Sequence, residues 1–278
     1  MGKWGPDGRA AAACVTFDHL GEAAELQMGI WPSGTPIGHH HSVERELPAV
    51  LDMLRGRPPV TFYLETWNFE HYPDAVRSIV DAGHEVGWHG WLHEPWTRSS
   101  EAELHAAFER SLVAFDKLGI RPTAARPPGG LLGQHGLDLL REYGFTRVSL
   151  AGTTHGLQDD MPLLPFPWTA VDGCYYIPAF ASLRIEEPGP DAVGPEVLLR
   201  GAEKLLEEAV ANGGFVSFVF HVLWQNTPEK IAAIATLMDR LDADERIWHA
   251  PSAEVSEWMI THPADFGPVT HIDQAPAW

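Results

Sequence analysis

Hydrophobic residues along the chain form short β-rich runs that alternate with segments of helical period. The runs predict strands over 11–17, 60–64, 85–88, 123–125, 146–150, 215–221 and 247–250. The segments between them predict helices over 43–54, 73–82, 101–118, 136–143, 195–211, 228–241 and 253–261. This alternation is typical of an α/β fold with a mainly parallel sheet, and seven β/α pairs indicate a barrel.

Two stretches depart from the alternation. Residues 152–195 are rich in proline, glycine and aromatic residues, with extended pieces at 161–168 and 174–177, and they predict an irregular insertion or an irregular strand pair. Residues 262–278 have no periodicity and fit either a frayed tail or an arm laid on a neighbouring subunit of a homo-oligomer. Since no repeat or boundary divides the chain, we expect one domain over 1–278.

Charge and composition exclude several classes of partner. The chain has 38 acidic and 19 basic residues, a formal charge of −19, which disfavours nucleic acid and anionic membrane surfaces. Its first residues lack the apolar run of a signal peptide, and no window reaches the roughly 18 apolar residues of a membrane span. With two cysteines, a disulfide framework is not expected, so we predict a cytoplasmic protein.

Ionisable residues follow several predicted strands. The first strand ends at Asp18 and His19, the third leads into His89, and the late strand 215–221 ends at His221. Because functional residues in parallel sheets gather at the carboxyl ends of strands, we expect these side chains to share one edge of the sheet.

The spacing of His89 and His93 indicates a metal site. Two histidines four residues apart, on a helical turn or a tight loop, can direct both imidazoles at one divalent ion such as zinc. His19 is either a third ligand or a histidine that serves as a surface or hydrogen-bonding group. Three nitrogen ligands with an open position are typical of catalytic zinc.

Three further residues have both a catalytic and a structural interpretation. Asp18 is either a catalytic carboxylate or one held in a salt bridge, because burial without a partner is costly. Arg126 precedes a Pro-Pro-Gly-Gly loop, which either presents a backbone N–H to an oxyanion or is a plain turn. His221 is either catalytic or a satisfied core histidine.

In this order and spacing the motifs resemble those of the polysaccharide deacetylase family, whose catalytic part is the NodB-homology domain. The family's T-F-D-D motif matches 16–18 and departs at His19, its H-x-x-x-H motif matches 89–93, and its R-x-P-x-G motif matches 126–130. A looser motif matches Trp168 and Asp172, and a strand ending in histidine matches His221. The resemblance covers about 11–255, and the run 82–96 most resembles the branch of cytoplasmic peptidoglycan deacetylase-like and allantoinase-like amidohydrolases.

The resemblance implies a distorted (β/α) barrel of about seven parallel strands with one divalent metal ion at its mouth. His89 and His93 are then ligands, and Asp18, oriented by Arg126, is the general base that takes a proton from metal-activated water. A backbone N–H near Gly129 stabilises the oxyanion. The resemblance also assigns His221 as the proton donor to the leaving amine, Asp172 as its supporting carboxylate, and Gly129 and Gly130 as substrate contacts. Trp91 and Trp168 are expected to contact the substrate because they lie close to the motifs in sequence.

Two departures from the family pattern affect these expectations. His19 stands where the family has a second aspartate, so the ligands are either three histidines or two histidines and water. An imidazole in place of a carboxylate leaves the site more positive, which favours zinc over manganese or magnesium. Gly129 stands where the family favours an aromatic residue, which predicts a wider pocket.

The preferred function is therefore a metal-dependent hydrolase of C–N amide bonds that N-deacylates a small cytoplasmic substrate. Ring opening of a cyclic imide or ureide is the alternative, and a catalytically silent small-molecule-binding protein is a further one. The connection 21–42 should overhang the site, with His39, His40 and His41 as a polar lid or as metal ligands. Several tryptophans lie close to the motifs in sequence, and some should line an aromatic pocket: 67, 88, 91, 96, 168 and 224.

Overall fold

Nine strands are present in the computed structural model, which describes residues 2–184, 186–270 and 272. They are β1 (Ala11–Asp18), β2 (Thr61–Leu64), β3 (Glu85–Trp88), β4 (Ala124–Ala125), β5 (Arg147–Val148), β6 (Gly156–Gln158), β7 (Met161–Leu163), β8 (Phe215–His221) and β9 (Ile247–His249). All seven strands predicted from the sequence are among them. The other two, β6 and β7, form an antiparallel pair in the stretch for which the sequence predicted an irregular insertion or strand pair.

Ten α-helices accompany the strands in the described part of the chain. They are α1 (Ala23–Met28), α2 (Leu47–Leu54), α3 (Trp67–His71), α4 (Pro73–Asp81), α5 (Glu101–Leu118), α6 (Gly136–Glu142), α7 (Gly173–Tyr176), α8 (Pro195–Asn212), α9 (Pro228–Ala243) and α10 (Ser252–Thr261). The ends of α5 show how the sequence fixes a helix. Ser100 and Glu103 form a reciprocal capping box at its start, and Gly119 ends it with a φ of 72°. No helix among the described residues is long and apolar enough to cross a membrane.

The strands form one curled sheet in the order β6-β7-β5-β4-β3-β2-β1-β8, with β9 also pairing with β1. Every pair is parallel except β6 with β7. Beyond these strands, Ala151 pairs with Phe166 and Val171 pairs with Val219 of β8. The segment 166–171 thus passes from the β5–β7 side to the β8 side. The prediction of a mainly parallel α/β fold shaped as a distorted barrel is confirmed.

The centre of the sheet is buried on both faces. All eight residues of β1 and all seven of β8 are buried, as expected for parallel strands covered by helices. Phe17 of β1 stacks on Phe62 of β2 with ring centroids 4.8 Å apart and lies 5.9 Å from Phe220 of β8. Asp18 and His221, each the next residue along its strand, are register partners. Aromatic packing therefore fixes the end of the sheet from which these two residues project.

Three connections differ from the sequence predictions. The extended conformation predicted at 174–177 is wrong, because the carbonyl of Asp172 accepts hydrogen bonds from the N–H groups of Tyr175 and Tyr176 and closes one turn, α7. The connection 21–42 contains a helix that was not predicted, α1. The 262–278 stretch is described through 270 and at 272, where Val269 donates to the carbonyl of Leu157 on β6 at 2.8 Å; its remaining residues lie outside the described part.

Candidate active site

Asp18 and Arg126 form a buried ion pair at the carboxyl end of β1. Nη1 of Arg126 donates to Oδ1 of Asp18 at 2.5 Å, and Arg126 is fully buried. Its Nε and Nη2 donate to the hydroxyl of Ser149 at 3.1 and 2.9 Å, and its guanidinium lies 4.1 Å from the ring centroid of Tyr63. Since a buried charge without a partner is very costly, these contacts hold the Asp18 carboxylate in one orientation.

His89 and His93 lie on a tight loop after β3. Nδ1 of His89 contacts the backbone carbonyl of Arg126 at 2.6 Å, and because a carbonyl can only accept, that nitrogen carries the proton. Nε2 of His89 is then left as a metal-ligating atom. The carboxylate of Glu94 accepts hydrogen bonds from the N–H groups of Trp91 and Leu92 at 2.9 and 2.8 Å, which folds the loop so that the His89 and His93 ring centroids are 5.1 Å apart.

His19 joins these two histidines. Its backbone has a φ of 62°, the left-handed region that non-glycine residues rarely adopt, and His93 has a φ of 79°. The ring centroid of His19 lies 5.0 Å from that of His89, 4.7 Å from that of His93 and 4.9 Å from that of His221. This geometry agrees with the interpretation of His19 as a third ligand, and the alternative of a surface histidine is wrong.

Glu65 is the site residue that sequence reasoning missed. It is fully buried directly after β2, and its Oε1 accepts a short hydrogen bond from Nδ1 of His19. One ligand atom from each of His19, Glu65, His89 and His93 lies within 4.8 Å of the others. A carboxylate immediately after a buried strand is the same signal that identified Asp18, so Glu65 could have been found. The expectation that His19 leaves the site more positive is wrong, because the Glu65 carboxylate lies beside this histidine.

The protonation of the three histidines differs with their surroundings. Burial lowers the pKa of His89 and of His93 well below the ordinary value, and the neighbouring His19 lowers both further. Burial also lowers the pKa of His19, but the charge and hydrogen bond of Glu65, with smaller contributions from Asp18 and Asp172, outweigh burial and raise it. The site therefore combines two neutral imidazoles with one imidazole paired to a carboxylate.

A second buried pair, His221 with Asp172, lies beside this group. Nδ1 of His221 donates to Oδ1 of Asp172 at 2.7 Å, and Oδ2 of Asp172 accepts from the His221 N–H at 2.8 Å and from Nε2 of Gln225 at 2.6 Å. The N–H of Asp172 donates to the carbonyl of Val219 at 3.0 Å, which seats the carboxylate next to β8. His221 is thus held with its proton on Nδ1 and with Nε2 free. Gln225 was not singled out from the sequence.

The floor of a cavity of about 380 Å³ is formed by Asp18, His19, His89, His93 and His221. Their partners Glu65, Arg126 and Asp172 are not among the described residues that line it. Gly129, Gly130 and Trp168 line it, in the places that the sequence prediction gave them. A Cβ at Gly130 would come within 2.4 Å of the Ala151 nitrogen, so this loop requires glycine. The placement of Trp91 in the pocket is wrong. Its buried ring centroid lies 3.9 Å from the guanidinium carbon of Arg110, and Trp91 is not among the described residues that line the cavity.

The connection 21–42 overhangs the cavity, as predicted, through Glu25, Met28 and Ile30. The three histidines within this connection, predicted as a polar lid or as metal ligands, anchor it instead of facing the site. His40 is buried and contacts the hydroxyl of Ser42 at 2.7 Å and the carboxylate of Glu25 at 3.1 Å. His39 and His41 contact Glu44 and Glu46. Among the described residues none of the three belongs to the ligand group or the cavity lining, so their interpretation as metal ligands is wrong.

Comparison with known proteins agrees with the motifs. Residues 37–148 match the family model described as "Polysaccharide deacetylase". Chitin deacetylase 1 of Saccharomyces cerevisiae is 34% identical over 101 residues, which are 36% of this chain and 33% of that protein. The matched region is thus about a third of the length of this curated relative.

Solved structures share the fold over nearly the whole chain. A putative polysaccharide deacetylase from Mycobacterium smegmatis has a TM-score of 0.83 and 23% identity, with 98% of this chain and 97% of that chain covered. The Puue allantoinase structure has a TM-score of 0.73 and 15% identity, with 95% of each chain covered. Together, the matches confirm the resemblance drawn from the motifs.

Proposed function

We propose, from its relationship to the polysaccharide deacetylase family, that this chain is a metal-dependent hydrolase that removes an acyl group from a small amide. The observation that carries the proposal is the meeting of three groups on one cavity floor. These are the metal-ligating cluster (His19, Glu65, His89, His93), the Asp18–Arg126 pair and the His221–Asp172 pair.

The ligand cluster has the chemistry of a divalent transition-metal site. Three imidazoles converge there beside the Glu65 carboxylate, and imidazole-rich donor sets favour zinc over magnesium or manganese. The Arg126 carbonyl and the Glu65 carboxylate hold the Nδ1 protons of His89 and His19, which leaves each Nε2 available as a ligand. When bound, one such ion would supply Lewis-acid activation of water and of the amide carbonyl.

The remaining residues supply proton transfer. Asp18, oriented by its contact with Arg126, accepts the proton of the attacking water. His221 is a candidate donor to the leaving nitrogen: with both ring nitrogens protonated, it can give up the Nε2 proton while Nδ1 keeps its hydrogen bond to Asp172. The chain therefore offers a base, Asp18, whose buried partner Arg126 donates a hydrogen bond to it. It also offers an acid, His221, whose buried partner Asp172 accepts a hydrogen bond from it.

The dimensions of the cavity support a small substrate. Its walls come from the 21–30 segment on one side and the 166–180 segment on another, around a volume of about 380 Å³. Pockets of 300–1,000 Å³ are typical for small ligands. A cytoplasmic location stays a prediction.

A hydrolysis screen tests the proposal. The zinc-reconstituted protein is incubated with N-acetyl and N-formyl amines and with cyclic imides and ureides, and products are identified by mass spectrometry. Deacylation gives a free amine and a carboxylic acid, whereas ring opening gives one product with the mass of one added water. Release of free amine, absent with Asp18→Asn, supports the proposal. If only a ring-opened product forms, the chain is a cyclic imide or ureide hydrolase instead. If all compounds stay intact, it is a binding protein.

A further inference from the structure

The walls of the active-site cavity contrast chemically with its floor. Above the catalytic groups, the lining consists of aliphatic and aromatic side chains and glycine or alanine backbone. Within the described part of the chain, Glu25 is the single lining side chain outside the floor that carries a carboxylate, amide, hydroxyl or amine, and Trp168 and Trp224 add one indole N–H each. Its Oε2 already contacts Nε2 of His40 at 3.1 Å. A substrate in this cavity therefore meets few polar partners apart from the groups that act on the amide.

Two apolar side chains at the cavity mouth are exposed to water. Met28 is 56% exposed and Ile30 is 62% exposed, although both line the cavity. Gly29, with a φ of 69°, ends α1 between them and turns the chain at the mouth. Exposed apolar side chains that adjoin a cavity mark a binding surface more often than scattered ones do. The mouth thus offers apolar area that a ligand could cover.

This lining disfavours sugars. Each sugar hydroxyl that leaves water needs a hydrogen-bonding partner, and an unmatched one lowers affinity. Sites that recognise hydroxyl groups contain matched polar side chains, and their discrimination depends on those groups. Here the lining includes Ile177, Phe180 and Leu223, whose side chains are hydrocarbon.

We propose that the substrate is a small amide that carries an aromatic or branched apolar group, which packs against Met28, Ile30 and the apolar walls. This inference rests on the hydrolase function proposed above and names its substrate class. It separates the chain from enzymes that act on polysaccharide chains, because the apolar contacts replace the hydrogen bonds that a sugar would require.

The test compares two acetamides that differ in the group attached to nitrogen, N-benzylacetamide and N-acetylglucosamine. With the full-length, zinc-reconstituted chain, we expect kcat/KM to be at least about 100-fold higher for N-benzylacetamide, in line with the discrimination that apolar pockets achieve. Met28→Asn and Ile30→Asn should each lower kcat/KM for N-benzylacetamide about three- to tenfold, as expected for one or two buried methylenes. Ile260→Asn on α10, where Ile260 is 44% exposed, is the matched control and should leave it unchanged.

Binding to Asp18→Asn, measured by calorimetry, separates the two proposals. If N-benzylacetamide binds and neither compound is hydrolysed by the unmutated protein, the hydrolase function fails and the ligand class stands. If N-acetylglucosamine is hydrolysed equally well or better, the hydrolase function stands and the apolar substrate class is wrong. If N-benzylacetamide is neither bound nor hydrolysed, the inference is overturned.

Discussion

The floor and the mouth of the cavity are built in opposite ways. On the floor, three of the side chains to which we assign chemistry are each fixed by a buried partner: Asp18 by Arg126, His89 by a backbone carbonyl and His221 by Asp172. The mouth is formed by short helices and loops whose apolar side chains, such as Ile30, reach into water. Strand ends therefore fix the chemistry, while connections determine which molecules reach it.

Backbone conformation shows the same contrast. Among the described residues, four non-glycine residues have a positive φ, and two of them, His19 and His93, belong to the ligand cluster. Such conformations cost of order 1–3 kcal/mol each and persist where the surrounding structure imposes them. At the mouth, the corresponding turn uses a glycine, Gly29, so no comparable cost arises there.

Removing the base on the floor should have the largest effect. Asp18→Asn should lower kcat/KM about 10²- to 10⁴-fold, because the amide cannot accept the proton of the attacking water. Metal content, measured by mass spectrometry of the purified protein, should stay near one ion per chain. Circular dichroism checks that Arg126, still bonded to Ser149, remains accommodated in a folded protein. A folded variant with full activity would show that Asp18 is not the base.

Removing the partner of the acid should have the next largest effect. Asp172→Asn should lower kcat about 10²-fold with little change in KM, because His221 loses the carboxylate that holds its ring while the cavity keeps its walls. Steady-state kinetics measures the split between kcat and KM. If KM rose about 10²-fold while kcat stayed unchanged, Asp172 would instead be assigned to substrate binding.

Replacing Glu65, the buried carboxylate beside His19, should weaken metal binding. Glu65→Gln should weaken zinc binding about 10- to 100-fold, since the amide keeps the shape but loses the charge beside His19. Competition with a fluorescent chelator measures the affinity. Glu70→Gln, on α3 and paired with Lys117 away from the cavity, is the matched control. Equal affinities of both variants would mean that Glu65 has no role in the metal site.

The smallest effects should come from substitutions at the cavity mouth, measured as changes in the free energy of unfolding. Met28→Asn and Ile30→Asn should change the free energy of unfolding by less than about 0.5 kcal/mol, as exposed substitutions do. Phe17→Ala, beneath the floor, should cost about 3–5 kcal/mol. Urea unfolding followed by circular dichroism measures both. A large loss in the mouth variants would show that these residues pack as core rather than as a binding surface.

The difference between the floor and the mouth of the cavity also explains which site residues could be predicted from the sequence. Asp18, His89 and His221 were found because parallel strands place their carboxyl ends together. The rule does not give the register pairing of Asp18 with His221, which the structure supplies. Trp91 was assigned to the pocket from its position between the motif histidines. The left-handed backbone at His93, together with the Glu94 carboxylate that folds the loop, depends on tertiary contacts that no local pattern records.

The most direct test of the central claim, that the floor is one metal centre, is X-ray absorption spectroscopy on the protein with one equivalent of zinc. The arrangement of His19, His89 and His93 predicts one tightly bound ion per chain with three imidazole ligands. Loss of one imidazole in His19→Ala would identify that histidine as a ligand. Zinc that binds substoichiometrically, or with no more than one imidazole, would contradict the account.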